Sequence, residues 1–309
     1  MDVLERAVVT HVYDFVSSKI TEGQVQQIIA EAGFDPLAYR YEPRVDDDGF
    51  VARGAVPMNV NRLENAAKKL SIKVDITSPA AAARIGNQYG VSITMSIDTV
   101  QALSDNNYQL YGFKAVKSSM GSGVPVVWFS TSTFSTQTEV EWTESYSAYT
   151  SGSDQISSGS ITATFTSPIS LDQTLVVTDK TGIGNVQAGG TAGAISISNT
   201  VSTPFTTGIS QLVEGENNPL CAFPLFGNGL DVIVPIQKVL LMFSTQPLNN
   251  GAVVEQAYSA SMLVDLTGAP GNSRAVSFDI NNGWSYEGVD WGTQFAANAN
   301  LVPILIVKP

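Results

Sequence analysis

Apolar and polar residues change rhythm along this chain. In the first part, Leu4, Val8, Val12 and Phe15 recur at helical spacing and predict a helix with one apolar face. Thr21 followed by Gln24 has the form of a capping box, opening a second helix through Val25, Ile28 and Ile29 that Gly33 ends. Asn59 or Asn61 is placed to cap a third through Leu63, Ala66, Ala67 and Leu70. Ile72–Ile76 is strand-like, and Asp46-Asp47-Asp48-Gly49 reads as a tight turn. An EF-hand is excluded there, because Arg44 and Ala55 stand at its first and last ligand positions.

Further along, the period drops to two. Val140, Trp142, Tyr146 and Ala148 fall on one face, opposite Glu139, Glu141, Thr143 and Ser145. Ile161, Ala163 and Phe165 alternate with Thr162 and Thr164, and Ile195, Ile197 and Val201 with Ser196, Ser198 and Thr200. This is the pattern of half-buried antiparallel strands. Asn-Gly pairs at Asn228, Asn250 and Asn282 are hairpin-turn signals; the second is expected to join Val239–Phe243 directly to Ala252–Leu266. The fold class expected is α+β by segregation. Residues 1–78 form a small, mostly helical module, 79–83 a linker opened by Pro79, and 84–309 a large, mainly antiparallel β-sandwich domain.

Charge follows the same division. Residues 1–78 hold 12 acidic and 9 basic residues, whereas the much longer remainder holds 16 and 7, and none at all from Thr181 to Val213. The net charge of -12 repels phosphate backbones and anionic membranes, so nucleic acid is excluded as a partner while neutral lipid, glycan and protein surfaces stay open. No run approaches the length of a membrane-spanning helix. Met1-Asp2-Val3-Leu4-Glu5-Arg6 lacks the basic end and apolar run of a secretory signal. The chain is therefore expected to be made in the cytoplasm, with lysis or a dedicated secretion system as its route out.

The candidate chemistry is thin. Cys221 is the sole cysteine, which rules out an internal disulfide, and its neighbours Leu220, Ala222 and Phe223 mark it as buried. His11 is the sole histidine and reads as packed on or beside an apolar helix face. Serine or cysteine triads would have to use it, and zinc sites of several His and Cys are impossible. Gly182-Ile183-Gly184 begins like a dinucleotide loop but lacks the third glycine and the helix. Glu139 and Glu141 share a strand face about 6.5–7 Å apart, a spacing compatible with acid/base work but ordinary for a solvated face. We therefore expect no catalytic residue, metal or cofactor.

Two features point to a surface function. Trp284, Tyr286 and Trp291, with Phe295 nearby, follow the Asn282-Gly283 turn; they either cover one end of the β core or bind a membrane interface or glycan. The charge-free stretch has three readings. It is a bilayer-inserting hairpin with Ile183, Ile195, Ile197 and Val201 facing lipid, an ordinary pair of sandwich strands, or a surface on which identical chains stack.

The Ser/Thr-alternating strands from Thr131 to Ser210 resemble those of aerolysin-type pore-forming toxins. Met242-Phe243-Ser244, with Pro247 and Asn249 after it, is similar to the membrane-facing half of actinoporin-like sandwiches. These resemblances imply membrane binding, homo-oligomerisation and pore formation without catalysis. The leading expectation is thus a non-enzymatic, membrane-active protein of the pore-forming class that binds a neutral lipid or glycan. The alternatives are a structural subunit of a homomeric shell, tube, filament or crystal, and a glycan-binding module.

Overall fold

The computed structural model describes residues 11–17, 19–44, 49–54, 58, 60–77, 88–120, 122–152, 156, 159–213, 216–288 and 290–308. Strands dominate, arranged in four mainly antiparallel sheets, with four α-helices among the described residues. The chain divides into two compact units. One takes Met1–Ala102, Thr133–Glu141 and Pro270–Ser285, and the other the remainder. The expected linker at 79–83 lies outside the described residues. The first unit also draws in two segments from the later part of the chain, which no composition shift announces.

The start of the first unit corrects the expectation of a mostly helical module. It runs strand His11–Val16, helix Glu22–Glu31, strands Tyr39–Pro43 and Gly49–Gly54, helix Val60–Lys69, and strand Asp75–Thr77. The sheet order places Gly49–Gly54 between Tyr39–Pro43 and His11–Val16, with Asp75–Thr77 on the far side, all antiparallel. This is a split βαβ, ferredoxin-like arrangement. Both internal helices were legible. Thr21 and Gln24 make the reciprocal capping box, and Val25, Ile28 and Ile29 are fully buried. The first predicted helix is a strand where it is described, and His11 opens it; Leu4 and Val8 lie outside the described residues. Tyr13 and Phe15, two apart on it, are buried, among β-branched and aromatic residues that suit a pleated surface. They pack with Leu63, Ala66 and Ile76 into a core of the module's own.

The first unit's other sheet has the order Gly283–Tyr286, Ser273–Asp279, Gln88–Met95, Gln137–Thr143, its two middle strands parallel. Helix Ile97–Asp105 follows, capped by Ser96, whose hydroxyl accepts the Thr99 N–H at 3.1 Å. The Asn282-Gly283 turn forms as predicted. Asp279 Oδ1 accepts the N–H groups of Asn281 and Asn282 at 3.0 and 2.9 Å, and Gly283 takes a left-handed φ of 79°.

The second unit is β-rich. Its spine is the 15-residue strand Leu230–Ser244, which pairs with Gln109–Ser118, Ile195–Asn199 and Ser261–Asp265 in a nine-stranded sheet. The pairing with Gln109–Ser118 slips between Pro235 and Val239, a bulge where Pro235 supplies no ladder donor. A six-stranded sheet contains Phe165–Ile169, Tyr146–Ser151, Phe205–Val213 and Cys221–Leu225. The expected hairpin at Asn250-Gly251 is half right. Val239–Met242 does pair with Ser261–Asp265, but residues 245–260 intervene, and Ala252 and Val253 bridge instead to Ser160 and Val126.

Candidate functional site

The sequence-predicted surface residues fall into different environments. Trp284 is 3% exposed and packs on Phe278, ring centroids 4.9 Å apart. It is a core side chain of the first unit. Tyr286 and Trp291 belong to the second unit and meet edge to face at 4.7 Å, both half-buried, with the Tyr286 hydroxyl donating to the Gly292 carbonyl at 2.7 Å. Glu139 is buried, whereas Glu141 forms an ion pair with Arg53 at 3.7 Å. The two carboxylates therefore do not share one solvated face.

The charge-free stretch is not a hairpin. Gly184–Ala188 and Ile195–Asn199 both pair with Gln173–Val177, which lies between them, and Phe205–Val213 belongs to the other sheet. Ile195 and Ile197 are fully buried, and so is Ser196, which the alternating pattern had turned outward. A strand flanked by two others buries Ser196 along with its isoleucines, because that hydroxyl finds a partner, and leaves Ser198 half-buried. Ser196 Oγ accepts the Thr191 N–H at 3.2 Å.

What the structure does assemble is a loop cluster at one end of the nine-stranded sheet. Gln173–Val177 and Ile195–Asn199 end there, while Gly184–Ala188 and Leu230–Ser244 begin. Loops 178–183, 200–204 and 226–229 therefore lie side by side. Thr200 donates through both its N–H and its hydroxyl to the Val177 carbonyl at 3.0 and 2.7 Å, and the Asn228 N–H donates to the Val201 carbonyl at 3.0 Å. Asn199, 1% exposed, is the hub. Its Nδ2 donates to the carbonyls of Thr203 and Phe226 at 2.8 and 3.2 Å, and its Oδ1 accepts the Val201 N–H at 3.1 Å. At Gly227 the Ser202 carbonyl stands 2.5 Å from where a Cβ would sit, so only glycine lets the two loops touch.

From this tied scaffold three large apolar side chains project into solvent: Ile183, 53% exposed, Phe226, 60%, and Leu230, 54%, with Val201 half-buried among the same loops. Two of the four residues expected to face lipid, Ile183 and Val201, thus sit at this tip, and the other two are core. Phe226 and Leu230 were missed. Their signal was a pair of large apolar residues flanking Gly227-Asn228-Gly229, which by itself reads as an ordinary hairpin turn between hydrophobic runs.

A second constellation lies inside the second unit. Lys114, on strand Gln109–Ser118, is 1% exposed, its Nζ 4.0 Å from the Trp142 ring centroid and 5.3 Å from that of Trp128. The two indoles themselves meet edge to face at 5.5 Å. Burial lowers the Lys114 ammonium to about 7, against the opposing pull of Glu144. Cation–π contact with the two indoles favours the charged form by about 2 kcal/mol or more in a desolvated site, which offsets only part of the several kcal/mol that desolvation of an ion costs, so burial wins. Glu144 sits between strands Gln137–Thr143 and Tyr146–Ser151, where its Oε1 accepts Gln237 Nε2 at 2.6 Å and the Tyr146 hydroxyl at 3.2 Å. Cys221 is fully buried, and burial pushes its thiol up.

Comparison of the chain with protein families, with curated proteins and with solved structures finds no match. No helix among the described residues is long and apolar enough to cross a membrane, which leaves crossing by strands untouched.

Proposed function

We propose that this chain is a non-enzymatic, membrane-active protein that docks on neutral lipid through the Ile183, Phe226 and Leu230 tip and then self-associates, as the pore-forming class does. The observation that carries the reading is the tip: large apolar side chains held in water by hydrogen-bonded loops rather than folded back on the sheet. Isolated apolar protrusions suit a soft bilayer, into which each can sink separately. The net charge of -12 disfavours anionic headgroups and leaves neutral ones.

Magnitudes tie docking to self-association. Full burial of such a side chain is worth about 1.5–3 kcal/mol, and each is already half covered, so the three together contribute roughly 2–4 kcal/mol. That is weak, reversible attachment. Several copies engaging one bilayer bind far more tightly than one. The test is co-sedimentation with phosphatidylcholine vesicles over a range of protein concentrations. We expect cooperative binding that Phe226→Glu and Leu230→Glu abolish while the circular dichroism spectrum stays unchanged. Wild-type protein that stays in the supernatant at every concentration overturns the reading.

A second reading has an observation of its own. The tip adjoins the charge-free stretch 181–213, where Asp179 and Lys180 at the edge of one loop are opposite in sign, so little there repels a second copy of the chain. In a structural subunit the same side chains would bury against a neighbour. Large particles by light scattering without lipid, reduced to monomer by Phe226→Glu, would favour the subunit over the lipid-binding protein.

A further inference from the structure

Lys114, Glu144 and Gln237 converge without any part in the docking surface. Lys114 pairs across the sheet with Val239, and Gln237 lies two residues away along the same strand, within the bulge. Diagonal neighbours of this kind are within reach of long side chains. The Glu144 carboxylate ties the group together, taking Gln237 Nε2 at 2.6 Å and acting on Lys114 as its charged neighbour. Two polar atoms here have no hydrogen-bond partner although buried: Lys114 Nζ and Gln237 Oε1. An amine without a hydrogen-bond acceptor and a carboxamide oxygen without a donor, beside the rings of Trp128 and Trp142, leave a costly arrangement as mere packing. They are also the two halves of an amide-forming reaction.

We propose that Lys114 and Gln237 become joined by an intramolecular isopeptide bond, with Glu144 carrying the proton. The neutral Nζ attacks Cδ of Gln237, and the Nζ–Cδ bond forms. Glu144 accepts a proton from the attacking nitrogen and delivers it to Nε2. The Cδ–Nε2 bond breaks and ammonia leaves. Nothing is oxidised or reduced, and no co-reactant is needed. Burial supplies the neutral amine, since an ammonium has no lone pair to attack with. The bond would staple strands Gln109–Ser118 and Leu230–Ser244 where the bulge interrupts their ladder.

Intact-mass spectrometry of the purified full chain is the test. The expected mass is that of the sequence less one ammonia, and protease digestion should yield one branched peptide joining Lys114 to Gln237. Glu144→Gln and Gln237→Leu should each return the full sequence mass. The Asn-Gly pairs at 228, 250 and 282 can also lose ammonia by closing to succinimides, so the peptide map decides. A wild-type chain of full sequence mass after prolonged incubation, or ammonia loss mapped only to an Asn-Gly pair, overturns the proposal. A cross-link that survives Glu144→Gln overturns the role of Glu144.

Discussion

Asp231 shows how strongly a single position is governed by its surroundings. It is fully buried on the spine strand, its Oδ1 accepting the Ser118 hydroxyl at 2.8 Å while Oδ2 has no partner. Burial pushes its carboxyl up, against the lowering effect of hydrogen bonds led by that from Ser118. An acid whose folded-state pKa exceeds its unfolded one binds its proton more tightly when folded. Its contribution to stability therefore falls as pH rises from the ordinary carboxylate range to the raised value. Asp231→Asn removes that loss. Above the window the variant should be more stable by on the order of 1 kcal/mol, about 2–4 °C in Tm; below the ordinary carboxylate range the difference should vanish. Thermal melts at a series of pH values check both the size and the sign. Lys114 is the basic counterpart, an amine placed in the middle of the apolar run Tyr111–Val116. The sequence does not show the two indoles that surround the amine, because Trp128 and Trp142 come from other elements.

For the elements, the question is which strands can leave the fold. If residues 181–213 enter a bilayer, Gly184–Ala188 must first part from Gln173–Val177, with which it pairs in antiparallel register. Val176 and Asn185 are directly opposite, a separation that a disulfide spans. A Val176→Cys, Asn185→Cys variant should, when oxidised, bind vesicles as the wild type does yet release no entrapped dye, and recover release on reduction. Cys221 is buried and does not compete for the new thiols. Undiminished release from the oxidised form would remove this segment from the pore. The alternation of Ile and Ser at 195–198 correctly marked a strand and misjudged its exposure. Period two reports which residues face opposite sides, not whether a second layer covers the polar one. The first helix failed for a related reason. Val12 and Phe15 fit a helical face, but Tyr13 and Phe15 fit a strand face equally well, and tertiary pairing decided between them.

At the scale of the whole molecule, the ferredoxin-like module has its own core, from Tyr13 and Phe15 to Ile76. Within the first unit the Arg53–Glu141 ion pair, partly exposed and worth about 0–1 kcal/mol, joins it to the later chain. A fragment of residues 1–78 should therefore fold by itself, with a cooperative but low thermal transition by circular dichroism, since domains of this size are marginal. A fragment without a transition would mean that the strands at 88–95 and 137–143 are needed to complete it. The same scale governs the docking tip. Its four strands are brought together by one parallel and two antiparallel pairings, so loop 178–183 with Ile183 comes to the end of the sheet where Phe226 and Leu230 flank their turn only once the sheet closes.

By itself the sequence determined the period of several strands, the capping box at Thr21 and both internal helices of the first module, the acidic, charge-poor β body, the turn at Asn282 and the burial of Cys221. All of these depend on residues close together in the chain, where spacing and side-chain chemistry act directly. Only the tertiary structure decided the βαββαβ order of the first module, the burial of Trp284, Ile195 and Ile197, the apolar tip, and the meeting of Lys114 with Glu144 and Gln237. Each of those rests on long-range pairing, and a periodic pattern carries no record of which distant strand will lie beside it.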